Sequence, residues 1–196
     1  DATAAIQAAL DTVGKVNGGV VFLPAGRYRI EGNLRLGYGT TLMGEWQPPA
    51  EGRIDKGTVL LAYAGRGDES APPLITLPPH QETCLRNLTV WYPEQRPDDI
   101  QPYPFTTAGG SARVTNVTLC NSYNGIGLEL FNACVVENVH GTVLNRGIVA
   151  PESFEFSWMH DVHFSNEYWQ RAASASGGNP FTAGQRAALD RFTQER

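Results

Sequence analysis

Glu129 and Glu152 fall at near-equivalent places in two neighbouring strand-like segments, Gly125-Ile126-Gly127-Leu128-Glu129-Leu130 and Gly147-Ile148-Val149-Ala150-Pro151-Glu152. Two carboxyl groups flanking a glycosidic bond can cleave it. A separation of about 5 Å suits a retaining mechanism, and about 6.5–9.5 Å an inverting one. Carboxyls that close also push one of the two pKa values up, which a general acid requires. Glu129 and Glu152 are therefore the candidate acid and nucleophile or base, although glutamates exposed on strands need no such role. His140 and His163 form a second set, able to hold a sugar or to move protons near neutral pH. Tyr92, Tyr103 and Trp169 follow strand-like segments or sit in an insertion, where flat rings would stack on the apolar face of a pyranose.

A repeat must position these residues. Segments 84–90, 113–119, 135–141 and 158–164 each carry an apolar residue two before and one after a central Asn87, Asn116, Asn138 or Asp161. The centres are 29, 22 and 23 residues apart. A period in the low twenties with strand-like alternation predicts a β-solenoid, because one coil cannot bury its own apolar face and must share a core with its neighbours. Residues one period apart then lie about 4.8 Å from each other. Asn tolerates the left-handed backbone that a sharp bend between strands requires. The central column is thus expected to be a structural ladder, with Asp161 a member rather than a catalyst. Arg86, Thr115, Glu137 and His160 flank it on one side, and Thr89, Thr118, His140 and His163 on the other; alternation points both rows outward.

Composition agrees with an all-β chain. The 196 residues make one domain or part of one, and 41% hydrophobic content is enough for a sizeable core. The 21 Gly, 13 Pro and 18% charged residues suit short strands and tight turns. A net charge of −5 argues against nucleic acid or an anionic membrane as partner, since both need a basic face. No apolar run approaches a membrane span. Cys84, Cys120 and Cys134 lack metal-ligand spacing and are expected as small buried residues, with a disulfide the lesser alternative. No phosphate loop, metal-spaced His/Cys set or nucleophilic Ser motif occurs, so neither a cofactor nor a metal is expected.

Residues 3–13 predict an amphipathic helix, with Ile6, Leu10 and Val13 on one face and Asp1 or Thr3 able to cap its start. Two insertions, 46–56 and 93–104, are of a length that is usually functional or disordered; in a solenoid such insertions tend to gather on one face, often the binding face. The second also accounts for the longer 29-residue interval. Beyond Trp169 the repeat stops: 171–178 reads as a small, polar linker and 182–192 as a helix. The expected division is a coil domain over 1–170 with a linker and helical extension over 171–196, leading into further coils.

The opening of the chain resembles the pectate-lyase superfamily. The resemblance rests on Asp1-Ala-Thr-Ala-Ala-Ile-Gln-Ala-Ala-Leu10, on Gly18-Gly-Val-Val-Phe-Leu-Pro-Ala-Gly-Arg-Tyr-Arg-Ile30 and on Thr41-Leu-Met-Gly44. It implies a right-handed parallel β-helix with an N-terminal capping helix, an Asn ladder at one bend, and a secreted or cell-surface carbohydrate-active protein. The activities found on that scaffold leave three readings open. The first is a glycoside hydrolase on a poly- or oligosaccharide, with a groove along the flank of the coil walled by the two insertions. The second is a pectate-type polysaccharide lyase, and the third a non-catalytic glycan-binding domain of the tailspike kind. Homo-oligomerisation, as a trimer, goes with the third. The Asn-Thr-Asp, Asp-Asp, Gly-His-Gly and Arg-Ile-Lys set of polygalacturonases is absent, Asp98-Asp99 being a bare dipeptide in a Pro-rich loop, and the calcium-binding Asp cluster of pectate lyases does not map onto the chain.

Overall fold

In the computed structural model, residues 1–49, 56–130, 133–150, 156–175 and 180–194 are described, with the side chains of 129, 130 and 175 excepted. Eleven strands join in one sheet, and every pairing between them is parallel. They are β1 (Gly19–Phe22), β2 (Gly26–Ile30), β3 (Leu34–Arg35), β4 (Thr40–Met43), β5 (Thr58–Ala62), β6 (Ile75–Leu77), β7 (Thr83–Trp91), β8 (Phe105–Gly110), β9 (Ala112–Leu130), β10 (Val135–Val149) and β11 (Trp158–Phe164). The sheet curls on itself because the long strands β7, β9 and β10 bend partway and serve two or three stacks in turn. One stack runs β1, β4, β7, β9, β10, β11; a second runs β2, β5, β7, β9, β10; a third runs β3, β6, β8, β9, β10.

Like residues stack on like. Val21, Leu42, Leu85, Val114, Val136 and Met159 are successive Cα partners on the inward side. All but the last are buried; Met159 is 44% exposed because no strand lies beyond β11 among the described residues. Each aliphatic buried in this way contributes about 1.5–3 kcal/mol. That stacking, rather than strand propensity, sets the register.

The bends fall where left-handed backbone interrupts a strand. Asn87, Asn116, Asn138 and Asp161 have φ of 61°, 54°, 55° and 53°. Asn116 Nδ2 donates to Asn87 Oδ1 at 2.8 Å, and Asn138 Nδ2 donates to Asn116 Oδ1 at 2.8 Å. The expected ladder is therefore present, with Asp161 sharing its backbone geometry. A second bend column stands five residues upstream, at Glu82, Ser111 and Ala133, with φ of 48°, 49° and 51°. Ala133 has no side-chain polar atom to offset left-handed strain of about 1 kcal/mol. Ala133→Gly should accordingly raise stability by about that amount in urea unfolding, whereas Ala112→Gly, one residue past the Ser111 bend, should lower it.

Helix α1 (Thr3–Gly14) lies over the first strands with Ile6 and Leu10 buried, and Asp1 Oδ1 accepts from the Thr3 amide at 2.9 Å. This is the expected helix and cap. The tail departs from expectation. Helix α2 (Asn166–Ala175) occupies part of the stretch read as linker, and α3 (Ala183–Gln194) follows. Tyr168, Trp169 and Ala172 bury one side of α2, so packing against β9 and β10 overrides the small, polar look of 171–175. No helix among the described residues is long and apolar enough to cross a membrane.

Candidate functional site

The structure distributes the candidate residues unevenly. Glu129 lies at the end of β9, one residue before its close, with its side chain outside the described residues; Glu152 lies wholly outside them. Tyr92, Tyr103 and Trp169 are corrections. All three are buried, Tyr92 and Tyr103 completely, and a ring with no free face cannot stack on a sugar. Tyr92 meets Tyr103 edge-on at 4.7 Å, and its hydroxyl pairs with Thr106 Oγ1 at 3.0 Å. Burial pushes the Tyr103 hydroxyl up to about 12 and raises that of Tyr92 as well. Trp169 packs edge-on against Phe181 at 5.2 Å. The 93–104 insertion is closed on itself by Gln95, whose side chain donates to the Gln101 carbonyl and accepts from its amide. The ring positions at strand ends were visible in the sequence; the loops that fold over them were not.

The outward rows also differ from expectation. Thr89 and Thr118 do face away from the coil interior, yet both are buried. On Thr118 the cover is the segment after β4: Trp46 Nε1 donates to Thr118 Oγ1 at 2.9 Å. Residues 50–55 of that insertion lie outside the described residues. One rung on, the Trp46 ring stacks with His140 at 6.4 Å and 20°. His140 and His163 are Cα partners, and the Tyr168 hydroxyl of α2 lies between them, 2.7 Å from His163 Nδ1 and 3.4 Å from His140 Nδ1. Burial holds His140 below the ordinary imidazole range; His163 acts in the same direction and Asp161 opposes. On the far side of the Asn ladder, His160 lies between Glu137 and Asp161 at 3.6 and 3.1 Å.

Concave space lies elsewhere. A cavity of about 560 Å³ at the upstream bend column is lined by His80, Glu82, Thr83, Ser111, Arg113 and Ala133. It spans three rungs, and its volume falls in the range of small-ligand sites. The lining offers a guanidinium, an imidazole, a carboxyl and hydroxyls. Thr83 is 1% exposed, and its hydroxyl has no hydrogen-bond partner among the described residues. No described carboxylate is within ion-pair distance of Arg113, although Arg29, Arg66, Arg146 and Arg171 all have one. Beside it, burial raises the Cys84 thiol while Arg86 and Arg113 pull it back. None of Cys84, Cys120 and Cys134 is joined in a disulfide among the described residues, and the last two are buried as expected. The sequence reading missed His80, Glu82 and Arg113. Spacing was the available signal: the second bend stands five residues before each ladder member, as 82 before 87, 111 before 116 and 133 before 138.

An all-parallel curled sheet with an Asn ladder and a helix over its first strands defines the structural class of the chain. Its opening is pectate-lyase-like: the model of the family "Rhamnogalacturonase A/epimerase, pectate lyase-like" matches residues 1–61, which span α1 to the greater part of β5. No curated protein and no solved structure matches the chain.

Proposed function

We propose that this chain winds as a right-handed parallel β-helix in a secreted or cell-surface glycoside hydrolase, and that it holds a poly- or oligosaccharide at the upstream bend column. The observation that carries the reading is the cavity across three rungs. Its Arg113, His80 and Glu82 provide donors and an acceptor for a polyhydroxylated ligand. The match of residues 1–61 to a family named for a rhamnogalacturonase supports a polysaccharide as that ligand. Glu129 and Glu152 act as the acid and the nucleophile or base. His140 and His163 take an outlying part of the saccharide. Uncovered Met159 on β11 supports a further coil stacked on that edge.

The test is product analysis by mass spectrometry after incubating the intact protein with a panel of plant and bacterial polysaccharides. Saturated products with new reducing ends are expected. Glu129→Gln and Glu152→Gln should each lower turnover about 10²- to 10⁴-fold with binding retained, and Arg113→Ala should weaken binding about tenfold. Full activity in both Gln variants would remove the pair from the mechanism. Unsaturated products absorbing in the ultraviolet would make the protein a lyase, and glycan bound without turnover would make it a binding domain.

A further inference from the structure

The two most exposed aromatic side chains among the described residues are Phe156, at 92%, and Trp158, at 67%. Phe156 stands five residues before Asp161, as Glu82, Ser111 and Ala133 stand before Asn87, Asn116 and Asn138. The spacing therefore continues the upstream bend column through Phe156, one rung past Ala133. Backbone contacts hold the register back to that point: the Trp158 amide donates to the Cys134 carbonyl at 2.9 Å, and the Cys134 amide to Ser157 Oγ at 3.2 Å. Trp158 is the Cα partner of Val135, and Val135 of Arg113, so Trp158 shares the outward column of that guanidinium, two rungs on. Ala133 and Arg113 both line the 560 Å³ cavity.

We propose that Phe156 and Trp158 are the aromatic platform of the saccharide site, taking the sugar unit next to the one held in the cavity. The inference rests on the cavity reading above and adds a subsite to it. A polar recess fixes a sugar through its hydroxyls, whereas a flat ring takes the apolar face of a pyranose and the indole N–H adds a donor. Successive rungs lie about 4.8 Å apart, close to the length of one sugar unit in an extended chain. A saccharide running along the coil axis thus passes from Arg113 to the two rings in two steps. Only Ala133 and Val135 stand on the rung between, and both are too short to block the path.

The direction of the Trp158 side chain sets it apart from its neighbour in sequence. Met159 belongs to the inward stack, and a further coil on β11 would cover it; Trp158 alternates outward, where such a coil would leave its outer face open. Other large exposed apolar side chains, Val16, Val20, Phe22 and Tyr38, gather at the opposite end of the coil, around α1 and β1. Thr41, Cys84 and Arg113 separate Val20 from Val135 and Trp158 in the outward column. The pair is therefore a local feature beside a polar recess and not part of a continuous apolar strip. That mixture fits a saccharide, with its apolar faces and polar rim, better than a second copy of the chain, which would need a broader apolar patch.

Affinity electrophoresis of the intact protein tests the platform, in native gels cast with rhamnogalacturonan, xylan, β-glucan or dextran. At least one of them should retard the wild type. Phe156→Ala and Trp158→Ala should each weaken that binding about tenfold, and Trp158→Phe, which keeps a flat ring, should recover most of it. Fragments cut from the same polysaccharide separate a subsite from a defect of folding. Those of two units, which fill the cavity alone, should bind Trp158→Ala as they bind the wild type, while those of five or six units should show the full loss. Arg113→Ala should weaken both. Unchanged binding in the two alanine variants, with Arg113→Ala still weakened, would overturn the platform and leave the cavity reading standing. Loss in the alanine variants with Arg113→Ala unchanged would overturn the cavity reading, and the adjoining subsite with it; retardation in none of the gels would do the same. Equal loss for short and long fragments, or a wild-type oligomer that either alanine variant splits in sedimentation velocity, would overturn the platform.

Discussion

Gly109→Ala should leave little folded protein. Gly109 has a φ of 147°, and a Cβ built there would lie 1.5 Å from the Leu77 carbonyl oxygen and 2.4 Å from its carbon. Leu77 is the Cα partner of Gly109 on the previous rung, so the obstacle is backbone fixed by the stack and cannot rotate away. Relief would require parting β6 from β8, which breaks the ladder bonds and opens the core at Leu77. The expected cost exceeds about 4 kcal/mol, a large share of the 5–15 kcal/mol that holds a domain together. Gly141, with φ 149° and 1.9 Å to the Leu119 oxygen, should respond in the same way. Gly67→Ala separates crowding from strain: its φ is 83°, but nothing lies within 4 Å of the added carbon. It should cost only about 1 kcal/mol. Soluble yield and urea unfolding of the three variants would check this ordering.

Asn116→Ala should cost about 3 kcal/mol. The side chain donates to Asn87 and accepts from Asn138, so its removal leaves one acceptor and one donor of the column unpaired, at about 1 kcal/mol each. Holding Ala at φ 54° adds about another. Asn116→Gly keeps the backbone at ease and should recover that last part alone. Asp161→Asn should change little, because Asp161 is exposed at the last described rung and bonds its neighbour His160. Urea denaturation midpoints of the three variants measure the differences; equal losses for Ala and Gly at 116 would mean that the left-handed bend is not what Asn supplies.

These contrasts explain what the sequence could reveal. The Asn ladder was legible because left-handed backbone selects Asn and because its period survives the 93–104 insertion. Helix α1 was legible from its apolar face and its acidic cap. The upstream bend column was not, since Glu82, Ser111 and Ala133 share a backbone conformation without sharing a chemistry. Nor were the covers. Alternation tells which way Thr89 and Thr118 point, but whether water reaches them depends on a segment tens of residues away in the chain. The same holds for Tyr92, Tyr103 and Trp169: an aromatic at a strand end is equally a sugar platform or a wedge, and tertiary contacts alone made these three wedges. Helix α2 escaped notice because Arg171, Ala172 and Ala173 carry no periodic apolar face of their own, the buried side being completed by Tyr168 and Trp169 just ahead of them.

Site, ladder and platform all require neighbouring rungs to be in register. Oxidative cross-linking of the Thr115→Cys/Glu137→Cys pair tests that most directly, in a background with Cys84, Cys120 and Cys134 replaced by Ser or Ala. These positions are Cα partners on the outward side of β9 and β10, about 4.8 Å apart, within disulfide reach. A bridge should form there, and none should form in Arg113→Cys/Glu137→Cys, on the same face but two residues out of step. Efficient bridging of the second pair, or failure of the first in folded protein, would contradict the stacked coil and everything built on it.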